Sequence, residues 1–181
     1  MIHKYKKYYI PQVDEFDCGV ASLAMILKHY GSSVSLAYLR KIAKTTMEGT
    51  TALGIVKTAQ ELGLETQAVK ADMSLFEMKD ITYPFIAHVI KNGTLLHYYV
   101  VLKATSKYIL IADPAQEVGI TKMSYERFEE EWTGVTLFIA PGIEYKPVKE
   151  DRKKLWSLFT KLFKQKQLVL NIVLAALLIT I

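Results

Sequence analysis

The chain contains little cysteine, glycine or proline. It has one cysteine, Cys18, with nine glycines and five prolines among 181 residues. A single cysteine excludes an intrachain disulfide framework and a multi-cysteine zinc site, and it is compatible with a reducing compartment. No period of about twenty to fifty residues recurs, which argues against a repeat architecture. A hydrophobic content of 51% excludes a disordered or collagenous chain, and the length of 181 residues suits one globular domain with an additional segment.

Motifs for secretion, metal binding and nucleotide binding are also missing. The basic N-terminus runs into Pro11 and acidic residues rather than an apolar stretch, so no secretory signal is expected. The four histidines show no metal-ligand spacing with carboxylates or thiols. Gly49 and Gly54 have the glycine spacing of a phosphate-binding loop, but Ile55 and Val56 occupy the positions that need lysine and serine or threonine. We therefore expect no cofactor in this chain.

The charge of the chain is unevenly distributed. The formal net charge is +5, yet residues 1–145 carry a net charge of −1 and residues 146–181 a net charge of +6. The basic segment lacks the groove-reading motifs of nucleic-acid-binding proteins, so no nucleic acid partner is expected. The positive charge instead distinguishes residues 146–181 from the nearly neutral region before them.

The C-terminal region has the pattern of a membrane-associated segment. Apolar residues recur at spacings of three and four between lysines: Leu155, Leu158, Phe159, Leu162 and Phe163. We interpret residues 146–166 as a linker and a basic amphipathic juxtamembrane helix, and residues 167–181 as the truncated start of a first transmembrane helix. The alternatives are a solvated helix packed on the domain and a buried core helix. The basic flank favours a cytoplasmic location for residues 1–145 and attachment to the membrane through the tail.

Within residues 1–145, helical periodicity comes first and strand patterns follow. Helices are predicted from Cys18 to Tyr30, with Asp17 as N-cap and Gly31 as C-terminal cap, after Ser35, and after Thr51. Strands are predicted at 66–71, 84–91, 94–103, 107–112 and 135–140, with short helices near Ser74 and from Tyr125. The layout predicts an α+β fold in which N-terminal helices pack on a mostly antiparallel β-sheet.

Asn92-Gly93 is the strongest hairpin signal in the chain. A two-residue turn there pairs Lys91 with Thr94 and places His88 opposite His97, on one face of the sheet. The position of Asp113 depends on the next loop, near Ser106. An even-length loop turns Asp113 away from His97, whereas a three-residue loop puts both on one face.

Two residues near the first predicted helix have the chemistry of acyl transfer. Cys18 lies at the first turn, where unpaired backbone NH groups and the helix dipole stabilise a thiolate, although a lone cysteine is commonly an inert buried residue. Gln12, six residues earlier, can direct its side-chain amide at the oxygen of a carbonyl attacked by Cys18. Together with the Cys18 backbone NH it would form an oxyanion hole, or it is an ordinary surface glutamine.

His97 and Asp113 complete a candidate catalytic set. His97 lies in an apolar strand, where it is either a structural core histidine or the base that deprotonates Cys18 and returns the proton to a leaving amine. Asp113 ends a hydrophobic strand before Pro114. It is either a turn residue or the acid that fixes the tautomer of the imidazole.

Three motifs taken together resemble a known family. They are the block from Gln12 to Met25 (QVDEFDCGVASLAM), the strand from His97 to Val101 (HYYVV) and the turn Ala112-Asp113-Pro114. In this order they resemble the N-terminal peptidase domain of bacteriocin-processing and competence-peptide-exporting ABC transporters, of the streptococcal and lactococcal type. The resemblance covers roughly residues 5 to 145.

The resemblance implies a papain-like fold with Cys18 as nucleophile, His97 as base, Asp113 as orienting acid and Gln12 as oxyanion donor. It also implies that Asp113 lies on the His97 face. The implied reaction is cleavage after a Gly-Gly pair that ends the leader of a precursor peptide. Export would be coupled through transmembrane and ATPase domains of the full-length protein, where ATP would bind. Two alternatives remain, a non-catalytic leader-binding docking domain and a cysteine acyltransferase or transglutaminase-like enzyme.

Overall fold

A computed structural model describes residues 2–149, which belong to one compact unit ending at Lys149. The fold is α+β, as predicted. Its helices are α1 (Ile2–Lys6), α2 (Cys18–His29), α3 (Leu36–Ala43), α4 (Ala52–Glu61) and α5 (Tyr125–Glu131), with 3-10 turns at Glu15–Asp17 and Met73–Glu77. The helices predicted after Ser35 and after Thr51 form, and the hydroxyls of these two residues cap them by accepting from the backbone amides of Tyr38 and Gly54.

Six strands form one sheet in which every neighbouring pair is antiparallel. They are β1 (Leu64–Lys70), β2 (Phe85–Lys91), β3 (Leu95–Ala104), β4 (Ile109–Ala112), β5 (Ile120–Met123) and β6 (Trp132–Pro141). Their order across the sheet is β1-β6-β2-β3-β4-β5. Helix α1 and strand β5 were not predicted, because each is too short to show a clear period.

The sheet is covered on both faces, which explains the continuous apolar sequence of β3. On one face Tyr98, Val100 and Leu102 join α2 in the core. On the other face Tyr99 and Val101 pack with residues of β2, β4 and α5. A strand buried on both sides shows no alternation of apolar and polar residues, so its faces cannot be assigned from hydrophobicity alone.

The β2–β3 hairpin differs from the prediction by one residue. Lys91 pairs with Leu95, not with Thr94, so that three residues form the loop and Asn92 adopts a φ of 52°. Val89 therefore lies opposite His97, and His88 lies opposite Tyr98. The prediction that His88 and His97 share a face is wrong, because a one-residue shift reverses the face of every side chain in the strand.

The β3–β4 connection places Asp113 by a route that the loop length alone does not predict. Four residues separate Ala104 from Ile109, and an even loop should turn Asp113 away from His97. However, the register shifts by one residue between Val101 and Lys103, so that Val100 pairs with Ala112 and not with Asp113. This bulge supplies the missing one-residue shift, and Asp113 emerges on the same face as His97.

The described chain continues to pack on the domain beyond residue 145. The Ser33 backbone NH donates to the carbonyl of Val148 at 2.7 Å, and the Val148 NH donates to Ser32 Oγ at 2.9 Å. Within residues 2–149, no helix combines the length and apolar character needed to cross a bilayer. The predicted juxtamembrane helix and transmembrane segment lie outside the described residues.

Candidate active site

His97, on β3, and Asp113, directly after β4, form a buried hydrogen-bonded pair. His97 Nε2 lies 2.7 Å from Asp113 Oδ1, and the two side chains are 4% and 1% exposed. The same oxygen accepts the backbone NH of Ala115 at 2.9 Å. Since Asp113 occupies Nε2, Nδ1 is the ring nitrogen left to exchange a proton with another group.

The contacts of Asp113 keep it ionised. Burial raises the pKa of this carboxyl, but hydrogen bonds from His97, Lys91 and the Ala115 amide outweigh burial and hold the pKa below its usual range. A carboxylate fixed in this way orients the imidazole and stabilises it when it becomes positively charged.

Cys18 lies in the core between α2 and the sheet, and its thiol is within electrostatic reach of Asp113. It is the first residue of α2, its thiol lies at the backbone amides of Tyr98 and Gly19, and it is 5% exposed. Burial raises the pKa of the Cys18 thiol to about 11, and the charges of Asp113 and Asp17 add to this effect. The backbone amides of Tyr98 and Gly19 lower the pKa of the thiol, in the direction expected at a helix start, but they do not offset desolvation.

Gly19 allows the start of α2 to sit close to its neighbours. A Cβ at this position would lie 3.0 Å from Thr50 Cβ and 3.2 Å from Ile55 Cδ1. The absence of a side chain lets Cys18 reach the backbone of β3.

Gln12 lies beside the Asp113 loop. Its backbone NH donates to the carbonyl of Pro114 at 2.9 Å, and the hydroxyl of Tyr9 donates to the carbonyl of Asp113 at 3.0 Å. Within residues 2–149, the side-chain Oε1 of Gln12 is buried with no hydrogen-bond partner. The segment before α2 is thus tied to the loop after β4, which brings Gln12 toward the region of His97 and Asp113.

An ion pair between buried Asp17 and partly exposed Arg40 fixes the segment that joins Gln12 to Cys18. Asp17 is fully buried, accepts the backbone NH of Val13 at 3.2 Å, and pairs with the guanidinium of Arg40. Arg40 also reaches Asp14 at 2.7 Å. Asp17 is the N-cap residue of α2, as predicted, but its side chain makes no capping hydrogen bond because it turns back toward residues 13 and 14. Sequence reasoning missed Arg40, which lies on α3.

Replacing Arg40 by methionine is expected to lower the free energy of unfolding by about 2 kcal/mol at pH 7. It leaves the buried Asp17 carboxylate without its cation, while the partial exposure of Arg40 limits the loss. Burial raises the pKa of Asp17, but the Arg40 hydrogen bond and backbone amides hold this pKa below its usual value. The stabilisation is therefore present above about pH 4 and is lost as the pH falls through the folded-state pKa.

Urea denaturation at pH 7 and at pH 3 measures this effect. Lys41→Met is the matched control, since Lys41 is the exposed neighbour on α3 and its replacement should change stability by less than about 0.5 kcal/mol. Equal stability of the two variants at pH 7 would contradict a structural role for the Arg40 pair.

His88 occupies a different environment from His97. Its Nδ1 lies 2.9 Å from Thr133 Oγ1, and the Thr133 hydroxyl donates to the His88 carbonyl at 3.1 Å. The ring makes an edge contact with Tyr98 at 5.1 Å between centroids. These contacts give His88 a structural role between β2 and β6.

The sequence of the chain is similar to those of peptidases and of peptide transport proteins. A family model described as the Peptidase C39 family matches residues 6–144. The transport/processing ATP-binding protein ComA of Streptococcus pneumoniae is 60% identical over 176 residues, which are 97% of this chain and 24% of that protein. The mesentericin-Y105 transport/processing protein MesD of Leuconostoc mesenteroides is 59% identical over 100% of this chain and 25% of that protein. The chain thus spans about a quarter of the length of these relatives.

Solved structures give the same fold. The peptidase domain of Streptococcus ComA matches with a TM-score of 0.72 and 55% identity, covering 74% of this chain and 97% of that chain. A double glycine motif protease from an AMS/PCAT transporter, solved in complex with a leader peptide, matches with a TM-score of 0.66 and 34% identity. That match covers 74% of this chain and 90% of that chain.

Proposed function

This chain belongs to the Peptidase C39 family, and from that membership we propose that it is a cysteine endopeptidase that removes the leader of a precursor peptide after a Gly-Gly pair. The observation that carries the proposal is the buried pair of His97 and Asp113 at 2.7 Å, with the single cysteine of the chain within electrostatic reach of Asp113. The base that activates a thiol needs a ring nitrogen available for the thiol proton, which is Nδ1 of His97. It also needs an anion that stabilises the protonated ring, which is Asp113.

The reaction begins with a protonated thiol. Because the pKa of Cys18 is raised to about 11, only about one molecule in ten thousand carries a thiolate at pH 7. His97 Nδ1 therefore takes the thiol proton as the sulfur attacks the carbonyl carbon of the second glycine. Asp113 stabilises the imidazolium that forms.

The tetrahedral intermediate then collapses with release of the mature peptide. The oxyanion is held by the Gln12 side-chain amide and the Cys18 backbone NH, which need no reorganisation if Gln12 is already in place. The imidazolium gives its proton to the leaving amine, so that the C–N bond breaks and a thioester remains on Cys18. Water, deprotonated by His97, hydrolyses the thioester and restores the free thiol.

A cleft on the sheet face opposite α2 is the site that we assign to apolar leader side chains. It has a volume of about 730 Å³ and lies against β1 and β6. Its apolar lining includes Val69, Leu75 and Phe138, and the neighbouring Met78 is largely exposed. An apolar cleft of this size suits the non-polar side chains of an amphipathic peptide.

Cleavage of a synthetic precursor tests the function directly. The purified chain is incubated with a peptide that carries an amphipathic leader ending in Gly-Gly, and the products are identified by mass spectrometry. We expect one cut, after the second glycine. The matched substrate with valine in place of the second glycine should be cut at least about 100-fold more slowly, because its branched side chain obstructs the attack of Cys18. Absence of cleavage, or a cut elsewhere, would overturn the proposal.

The relatives are transport and processing proteins, and we propose that this chain acts as the processing part of such an exporter. Its partners would be the precursor peptide and the transmembrane and ATPase domains of the longer protein. The domain would work at the cytoplasmic face of the membrane, attached through the basic C-terminal tail, and no nucleic acid takes part.

A further inference from the structure

Lys91 makes a direct contact with the proposed catalytic acid. Its Nζ lies 2.8 Å from Asp113 Oδ2, the carboxylate oxygen that His97 does not use. The lysine side chain is only 14% exposed, and that of Asp113 is 1% exposed. Burying an ammonium group to this extent is costly unless it faces an anion, and Asp113 is that anion for Lys91. Both oxygens of Asp113 are thus held by donors.

The hairpin register explains why Lys91 reaches the site. Lys91 is the last residue of β2 and lies two residues beyond Val89, which is opposite His97. Alternation along β2 places Lys91 on the same face as His97. A two-residue turn would have directed it to the other face, so the three-residue loop from Asn92 to Thr94 is what brings the cation to Asp113.

Other charged and titratable groups also surround Asp113, and they come from several elements. Those in contact with it or within electrostatic reach are His97 and Tyr99 on β3, Arg127 on α5, Cys18 on α2 and Tyr9 before α2. Glu131 on α5 contributes to raising the pKa of Tyr99, and the charge of Glu117 contributes to raising the pKa of Tyr9. Within residues 2–149, Lys91 is the lysine that is hydrogen-bonded to Asp113. Lys91 is therefore the residue that places a positive charge in direct contact with this carboxylate.

We propose that Lys91 is a positioning residue that holds Asp113 in the orientation that receives the His97 Nε2–H and sets the pH range over which the site is active. The proposal rests on the function proposed above. Lys91 does not touch the reacting atoms and acts through Asp113. Loss of its charge removes a cation from a site with little water, which favours the protonated forms of the groups that titrate there.

The test compares Lys91→Met and Lys91→Arg with the parent chain. In Lys91→Met we expect kcat to fall about tenfold with KM within about twofold, since the change acts on the reacting groups and not on leader binding. Both limbs of the pH profile of kcat/KM should move upward by about half to one pH unit. Lys91→Arg keeps the charge and should restore the position of the profile. Lys107→Met, an exposed site in the β3–β4 loop, is the control and should match the parent chain.

A second measurement does not need the peptide substrate. Cys18 is the only cysteine, so alkylation by iodoacetamide reports the ionisation of this thiol alone. At pH 8 the reaction should be about three- to tenfold slower in Lys91→Met than in the parent chain or in Lys91→Arg. If the parent chain fails to cleave the leader but alkylation changes in this way, the proposed function fails and the role of Lys91 stands. The proposal would be overturned if Lys91→Met lowers kcat but leaves both the pH profile of kcat/KM and the rate of alkylation as they are in the parent chain.

Discussion

Replacing Cys18 by alanine is expected to reduce cleavage of the Gly-Gly leader to the background rate, a loss of at least about 10⁴-fold in kcat. The reaction passes through a thioester on the Cys18 sulfur, and neither His97 nor Gln12 can take over this bond. Cys18 is 5% exposed, so its replacement by the smaller alanine should cost only about 1 kcal/mol of stability. The measurement is initial velocity by quantitative mass spectrometry, with thermal denaturation as the check on folding.

A leader-binding measurement sharpens this test. Cys18→Ala should bind the uncleaved leader with nearly the affinity of the parent chain, because Cys18 does not line the cleft that we assign to the leader. Cys18→Ser is the matched variant, which keeps the shape but supplies a hydroxyl that His97 activates poorly, and it should remain at least about 10³-fold slower. Undiminished cleavage by Cys18→Ala would exclude a cysteine mechanism. A parent chain that binds leader but never cleaves it would favour the docking-domain alternative.

The sequence predicted the α+β architecture because helix and strand periods are segregated along the chain. Three of the helices begin directly after residue types that favour the N-cap position, namely Asp17, Ser35 and Thr51. The family and its fold followed from motifs that are short and contiguous, such as Gln12 to Met25. Local information of this kind is read directly from the order of residues.

Register could not be predicted, and register decides the geometry of the site. The Asn92-Gly93 signal led to a two-residue turn, whereas Thr94 also lies in the loop and every pairing in the hairpin shifts by one. The bulge near Leu102 has no sequence signature, because it falls at the end of an uninterrupted apolar run from Tyr98 to Leu102. The two features together place Asp113 and Lys91 on the face of His97.

The ionisation of Cys18 also escaped prediction, because it depends on burial rather than on position. A helix start lowers the pKa of an exposed thiol, but α2 packs its first residue against Tyr98, and desolvation dominates. The roles of Arg40 and Lys91 also could not be predicted, because these residues are distant in sequence from the carboxylates that they contact. Their contacts with Asp17 and Asp113 exist only after the helices and sheet have assembled.

Replacing His97 by alanine is expected to lower kcat by about 10³- to 10⁴-fold at pH 7. With the pKa of Cys18 at about 11, the variant can react only through the small fraction of thiolate that forms without a base. The residual rate should therefore rise about tenfold per pH unit between about pH 7 and pH 9, since the thiolate fraction rises by that factor. The parent chain should be nearly independent of pH over much of this range. Initial velocities across the range measure both slopes.

His88→Ala is the control that separates loss of the base from loss of a buried ring. His88 lies on the opposite sheet face, bonded to Thr133, so its removal should cost about 1 kcal/mol of stability and change kcat less than about threefold. Its pH profile should keep the shape of the parent chain. If His88→Ala instead loses activity and acquires the steep rise with pH while His97→Ala does not, the assignment of His97 as base is wrong. A His97→Ala rate that is low but flat with pH would show that the free thiol does not limit the reaction.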